Sequence, residues 1–184
     1  MNRETKVLVY SAMCLAVGTA LSAIPLFHLP QGGTVTLCST MFLVVVSYWF
    51  GVSTGVLCGF VFGLLQMIFS ASLVHPIQIL LDYPLSYAAF GLGGLFAGKK
   101  HGLQIGYVVG CLGRFAANFA SGVIFYSDYA PEGQSAVLYS AVYNATYVGI
   151  EMVMTIIVLS LPPVQNAIKS VRDGLDISPE AVKK

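Results

Sequence analysis

Charge is scarce in this chain: 9 Lys and Arg and 8 Asp and Glu stand in 184 residues, of which 57% are hydrophobic. A soluble domain carries charge at about a quarter of its positions, so that class is excluded. The net charge of +1 leaves no basic face for nucleic acid. Four cysteines, Cys14, Cys38, Cys58 and Cys111, are scattered singly through apolar stretches. Without metal-ligand spacing or clustering they read as small packing residues, so no metal site is assigned. No internal repeat with broken helices is visible, which counts against a self-sufficient secondary transporter. Gly93 to Lys99 matches the first part of a phosphate-binding loop, but Lys100 stands where Ser or Thr is required. A membrane enzyme would need a nucleophile and a base at one depth, and His75 with its nearby serines lies at a loop edge suited to helix capping. No catalytic residue and no cofactor is assigned.

What remains is apolar length. Roughly 20 residues cross a bilayer as a helix, and the runs and breaks predict an all-α membrane protein, a single domain over residues 1–184 with six transmembrane helices. The first spans about Val7 to Phe27, the second Leu37 to Phe50, and the third Gly55 to Ser70 after a tight turn at Val52 to Thr54. The fourth starts at His75-Pro76 and runs to Gly98, with Pro84 predicted to kink it near Asp82. The fifth covers Leu103 to Tyr126, and the sixth Ser135 to Leu161, where Pro162-Pro163 ends it. The tail, residues 164–175, is amphipathic, with Val164, Ile168 and Val171 on one side. Arg3, Lys6, Lys99, Lys100, His101, Lys169 and Arg172 all fall at one end of such a bundle. The positive-inside rule makes that end, and both termini, cytoplasmic. Small residues recur every fourth position at Gly55, Gly59 and Gly63 and at Ala12, Ala16 and Ala20, ridges that admit a close backbone. The glycine ridge is read as packing within the bundle, while the alanine ridge is open between the bundle and another protein.

Three ionisable residues sit well inside the apolar runs: Asp82, Arg114 and Glu151. Each costs roughly 2.5 to 3.5 kcal/mol in hydrocarbon and needs a partner, a water-filled cavity or a ligand. Arg114, Asn118, Gly122 and Tyr126 are spaced by four, one stripe along the fifth helix. Asp82 lies about 9 Å below the outer end of the fourth at 1.5 Å per residue. The sixth adds Tyr139, Tyr143, Asn144 and Tyr147. These groups converge at similar depth, where aromatic faces can stack on a planar or cationic ring and Asp82 can neutralise it. The competing reading is structural: Asp82 and Arg114 as a buried ion pair, with Tyr and Asn serving interhelical bonding. Glu151, lower on its helix, is a second partner open to Arg114.

At these residues a resemblance becomes specific. The segments Pro30 to Thr36 (PQGGTVT), His75 to Tyr83 (HPIQILLDY), Arg114 to Gly122 (RFAANFASG), Tyr129 to Gly133 (YAPEG), and Tyr139-Ser with Tyr143 to Tyr147 (YNATY) occur in order along nearly the whole chain. Together they resemble the thiamine-specific substrate-binding subunits of energy-coupling factor transporters. The resemblance implies a six-helix subunit of the bacterial plasma membrane that captures thiamine from outside and associates with a separate transmembrane scaffold and two ATPases, which use the ATP. It implies Asp82 as the acidic ligand residue with Tyr83 beside it, Arg114, Asn118, Gly122 and Tyr126 as binding positions, and Tyr139 and Asn144 on the last helix. It implies a lid in the first loop at Gln31 and Gly33, and docking through Ala12, Ala16 and Ala20. The chain departs from the family at Asn118, often His, at Tyr126, which can be Trp, and in a first loop without Trp. Another vitamin, a thiamine precursor, or a small stand-alone secondary transporter are the competing functions.

Overall fold

A computed structural model describes residues 2–29, 33–70, 75–131 and 133–175. The first helix, α1 (Arg3–Ser22), is capped by Asn2, whose Oδ1 accepts from the Thr5 amide at 2.9 Å. Only Ser11, Cys14 and Gly18 of α1 are buried, so the helix lies against the bundle along one narrow stripe. It stops at Ser22 instead of continuing to Phe27. Pro25 supplies no amide and biases Ile24 away from helical backbone. Residues Pro25–His28 instead form a strand, β1, paired antiparallel with β2 (Thr34–Thr36). The Leu29 amide donates to Gly33 O at 2.7 Å and closes this hairpin. Val35 turns inward and is fully buried.

The second apolar run forms α2 (Met41–Phe50), and it is short. Ten residues rise about 15 Å, half of a hydrocarbon core of about 30 Å. The expected start at Leu37 gives way to irregular backbone, with Cys38 at φ 53°. Such backbone is tolerated at membrane depth only when its polar groups are satisfied by protein. Seven of the ten α2 residues are buried, from Leu43 to Phe50 with Tyr48 excepted, so the helix is the centre of the core. A single residue, Gly51 at φ 93°, reverses the chain into α3 (Val52–Ser70), three residues earlier than the expected start.

The fourth span, α4 (Pro76–Phe96), departs from α-helical pitch in two places. It opens as an α-helix capped by His75, whose Nδ1 accepts from the Ile77 amide at 3.2 Å while its ring stacks on Phe125. It widens to a π turn over Leu81–Leu85 and tightens to 3₁₀ over Ala89–Phe96. Pro84 cannot donate to the helical ladder, and beside it the Ser86 hydroxyl donates to Asp82 O at 2.6 Å. The expected kink is thus a widened turn. The chain continues as α5 (Gly102–Phe125), a 3₁₀ turn at Ser127–Tyr129, α6 (Ala136–Ser160) and α7 (Pro162–Gly174). Of these helices α1, α3, α4, α5 and α6 are long and apolar enough to cross a membrane. The amphipathic tail is α7, which buries Ile168 against α2; the Trp49 indole donates to Ile168 O at 3.0 Å.

The glycine ridge of α3 packs inside the bundle, as expected, and the structure sets it against α4. A Cβ at Gly59 would collide with Tyr87 O and lie 2.8 Å from Ala88 Cα, and one at Gly63 would lie 2.5 Å from Tyr83 O. Gly93, from the would-be phosphate loop, packs on Val44 and on Gly106 of α5. Its role is helix contact. Gly59→Ala is therefore expected to destabilise the folded protein by about 1 to 3 kcal/mol through overpacking. Gly149→Ala, with nothing within 4 Å of the added carbon, should be neutral or stabilising by up to about 1 kcal/mol. Thermal unfolding of the two variants in one detergent measures the contrast.

Candidate ligand-binding site

The widened turn in α4 has a direct consequence for side chains. In a regular helix, a residue five positions on has turned past the face of the first, whereas a π turn brings positions five apart back into line. Asp82, Tyr83 and Tyr87 consequently face one cavity, held there by the glycine ridge of α3 behind Tyr83 and Tyr87. The cavity measures about 450 Å³ and is also lined by Arg114, Asn118, Gly122, Tyr126, Tyr129, Tyr139, Ser140, Tyr143, Asn144 and Tyr147. All nine side chains and glycines expected to contact a ligand meet here. Sequence reasoning missed Tyr87, Tyr129 and Ser140. Tyr87 was hidden because its alignment with Asp82 depends on the π turn, for which Pro84 was the available signal. Ser140 was legible as the residue one turn before Asn144.

Arg114 is held through both terminal nitrogens of its guanidinium. Its Nη1 donates to Glu151 Oε2 at 3.0 Å, its Nη2 donates to the Tyr87 hydroxyl at 3.3 Å, and its guanidinium carbon lies 4.8 Å from the Tyr87 ring centre and 5.5 Å from that of Tyr147. The side chains of Arg114 and Glu151 are 11% and 4% exposed, so this ion pair is buried. Glu151 Oε1 accepts from the hydroxyls of Thr36 at 3.2 Å, Ser39 at 3.4 Å and Thr40 at 3.2 Å. These three belong to the hairpin and the irregular backbone before α2. The partner of Arg114 is thus Glu151, and the alternative pairing with Asp82 is not formed. Asp82 Oδ2 instead accepts from Gln78 Nε2 at 2.6 Å, and the carboxylate has no ion pair among the described residues.

Opposite α4, amides and a phenol form a hydrogen-bonded chain. Asn118 Nδ2 donates to the Tyr147 hydroxyl at 2.6 Å, which donates to Asn144 Oδ1 at 2.9 Å, and Asn144 Nδ2 donates to Ser140 O at 2.9 Å. A Cβ at Gly122 would run into Ser140 Oγ, so glycine permits α5 and α6 to meet here. Tyr126 and Tyr129 pack ring to ring at 5.6 Å, Tyr139 and Tyr143 at 6.1 Å, and Tyr143 and Tyr147 at 5.5 Å. The cavity therefore offers aromatic faces around one carboxylate that has no ion pair among the described residues. Gly33 stands outside the lining but against it, where an added Cβ would lie 3.1 Å from Tyr147 Cβ. Gln31, Gly32 and Pro30, and likewise Glu132, lie outside the described residues. Ala12, Ala16 and Ala20 are exposed on α1 beside Leu8, Met13 and Val17, so the ridge does not pack inside the bundle.

The family model described as "Thiamine transporter protein" matches residues 8–170. The chain belongs to that family. Among curated relatives, the thiamine transporter ThiT of Bacillus subtilis is 37% identical over 147 residues, covering 72% of this chain and 76% of the relative. ThiT of Lacticaseibacillus paracasei is 26% identical over 98% of both chains. A solved structure of ThiT from Listeria monocytogenes covers 100% of both chains with a TM-score of 0.71 at 20% identity, so the fold is shared. With its apolar helices, the family membership makes this a multi-pass protein of the bacterial plasma membrane, with a role in transport rather than catalysis.

The Asn118, Tyr147 and Asn144 chain predicts a specific cost. Tyr147→Phe removes a hydroxyl that satisfies two buried amides and is expected to lower stability by about 1 to 3 kcal/mol. Unfolding of this variant beside Tyr129→Phe, whose residue is 65% exposed, separates the buried network from the cavity rim.

Proposed function

We propose that the protein captures thiamine from outside the cell in the cavity between α4, α5 and α6. In this reading it is the substrate-binding subunit of an uptake complex, handing the vitamin on by docking to a separate transmembrane scaffold driven by two ATPases. One observation carries the ligand assignment: Asp82 is a carboxylate without an ion pair in the described structure, and it lies in a cavity ringed by tyrosines. Thiamine joins a permanently cationic thiazolium to an aminopyrimidine. Tyrosine faces suit both rings, the carboxylate suits the cation, and the amides of Asn118 and Asn144 suit the polar edge of the pyrimidine. Membership of the thiamine transporter family supports the same ligand.

Docking is supported by the outward face of α1. Ala12, Ala16 and Ala20 form an exposed small-residue track on a helix that contributes no residue to the cavity. Such a track serves close approach of another backbone. Gly93 and Gly94 of the segment that resembles a phosphate loop lie against neighbouring helices, so in this reading the energy is assigned to the partner ATPases.

Two experiments test the two halves. Asp82→Asn is expected to weaken thiamine binding by about 1.5 to 3 kcal/mol, the range for a hydrogen bond to a charged group, while the protein stays folded. Calorimetry on the purified protein reads this directly, and saturation by a different vitamin with no heat from thiamine would reject the ligand. Ala16→Trp is expected to leave thiamine affinity near wild type yet abolish cellular uptake and co-purification with a scaffold subunit. Full uptake by that variant would reject docking through α1.

A further inference from the structure

Two charged side chains line the cavity, Asp82 and Arg114, and their formal charges cancel. A cavity of zero net charge gives a cation no long-range advantage over a neutral or anionic relative of the same shape. Arg114 is held in place by its bonds to Glu151 and to the Tyr87 hydroxyl, with the ring centres of Tyr87 and Tyr147 at 4.8 and 5.5 Å from its guanidinium carbon. The charge that breaks the balance is behind the wall. Glu151 is absent from the lining, yet its carboxylate takes Arg114 on one oxygen and three hydroxyls on the other.

We propose that Glu151 is the specificity-determining residue for ligand charge: by neutralising Arg114 it leaves the site with the single negative charge of Asp82, so that the site favours a monocation over the phosphate ester of the same molecule. The inference rests on the thiamine reading above. Glu151 acts through Arg114 as a positioning residue and touches no ligand itself. Its three hydroxyl donors come from β2 and from the segment before α2, so the selectivity also depends on where the first hairpin sits.

The test uses the full-length protein in detergent, with binding of thiamine, thiamine monophosphate and the neutral thiophene isostere measured by calorimetry. The readout is the ratio of thiamine to monophosphate affinity. Glu151→Gln is expected to lower this ratio by about tenfold or more, the effect of one charge at roughly 10 Å in an effective dielectric of about 20. Affinity for the neutral isostere should change least, and Glu151→Asp should restore the ratio. Arg114→Gln removes the opposite charge and should raise it. A merely structural role predicts that Glu151→Gln weakens all three ligands alike, and that outcome, or an unchanged ratio, overturns the inference. If Glu151→Gln does not fold, Arg114→Gln decides alone: a rising ratio supports the inference, and a falling or unchanged one overturns it. Wild-type protein that binds neither thiamine nor its ester overturns the thiamine reading and this inference with it. Wild-type binding of thiamine with no change of ratio in the variants overturns this inference alone.

Discussion

The buried ion pair between Arg114 and Glu151 joins four parts of the molecule that the chain leaves far apart. Arg114 belongs to α5, Glu151 to α6, and the hydroxyls on the far oxygen of Glu151 to β2 and to the approach to α2. Tyr87 of α4 closes the ring by covering the guanidinium. Removing one member of such a pair strands a charge in low dielectric, at a cost of about 3 to 5 kcal/mol. The pair also explains how a helix of 10 residues survives in the second position. Polar backbone before α2 would be intolerable against lipid, but here its side chains end on a carboxylate inside the protein.

Glycine and proline supply the second constraint. The ridge at Gly59 and Gly63 lets α3 approach the backbone of α4 at Tyr83 and Tyr87, and Pro84 opens the turn that aims these tyrosines with Asp82 into the cavity. Neither device touches a ligand in the proposed function. Both determine whether the ligand groups share a face, so a packing mutation in α3 and a site mutation in α4 act on one geometry.

Much of this was legible beforehand because the membrane imposes simple rules. Apolar length marked the five helices long enough to cross a membrane and the shorter α2, and the rarity of charge singled out Asp82, Arg114 and Glu151. Spacing by four gathered Arg114, Asn118 and Gly122 on one stripe, and the positions expected on the last three spans line one cavity, whereas Gly33 of the expected lid stands outside the lining. The misses have local causes. The hairpin at Pro25–His28 was absorbed into α1 because its residues are as apolar as a span, and strand pairing depends on Thr34–Thr36 across a loop. Tyr87 was overlooked because helical periodicity fails across a π turn.

Composition and periodicity therefore determined the class of the protein, its helices and the short roster of polar residues inside them, because hydrocarbon penalises every unsatisfied polar group regardless of partner. They left undecided which buried charge meets which. Arg114 had two carboxylates open to it, and the sequence contains nothing that ranks them. Tertiary structure chose Glu151 and left Asp82 without an ion pair among the described residues, since pairing depends on distances of a few ångströms between helices whose separation is set by glycine contacts elsewhere.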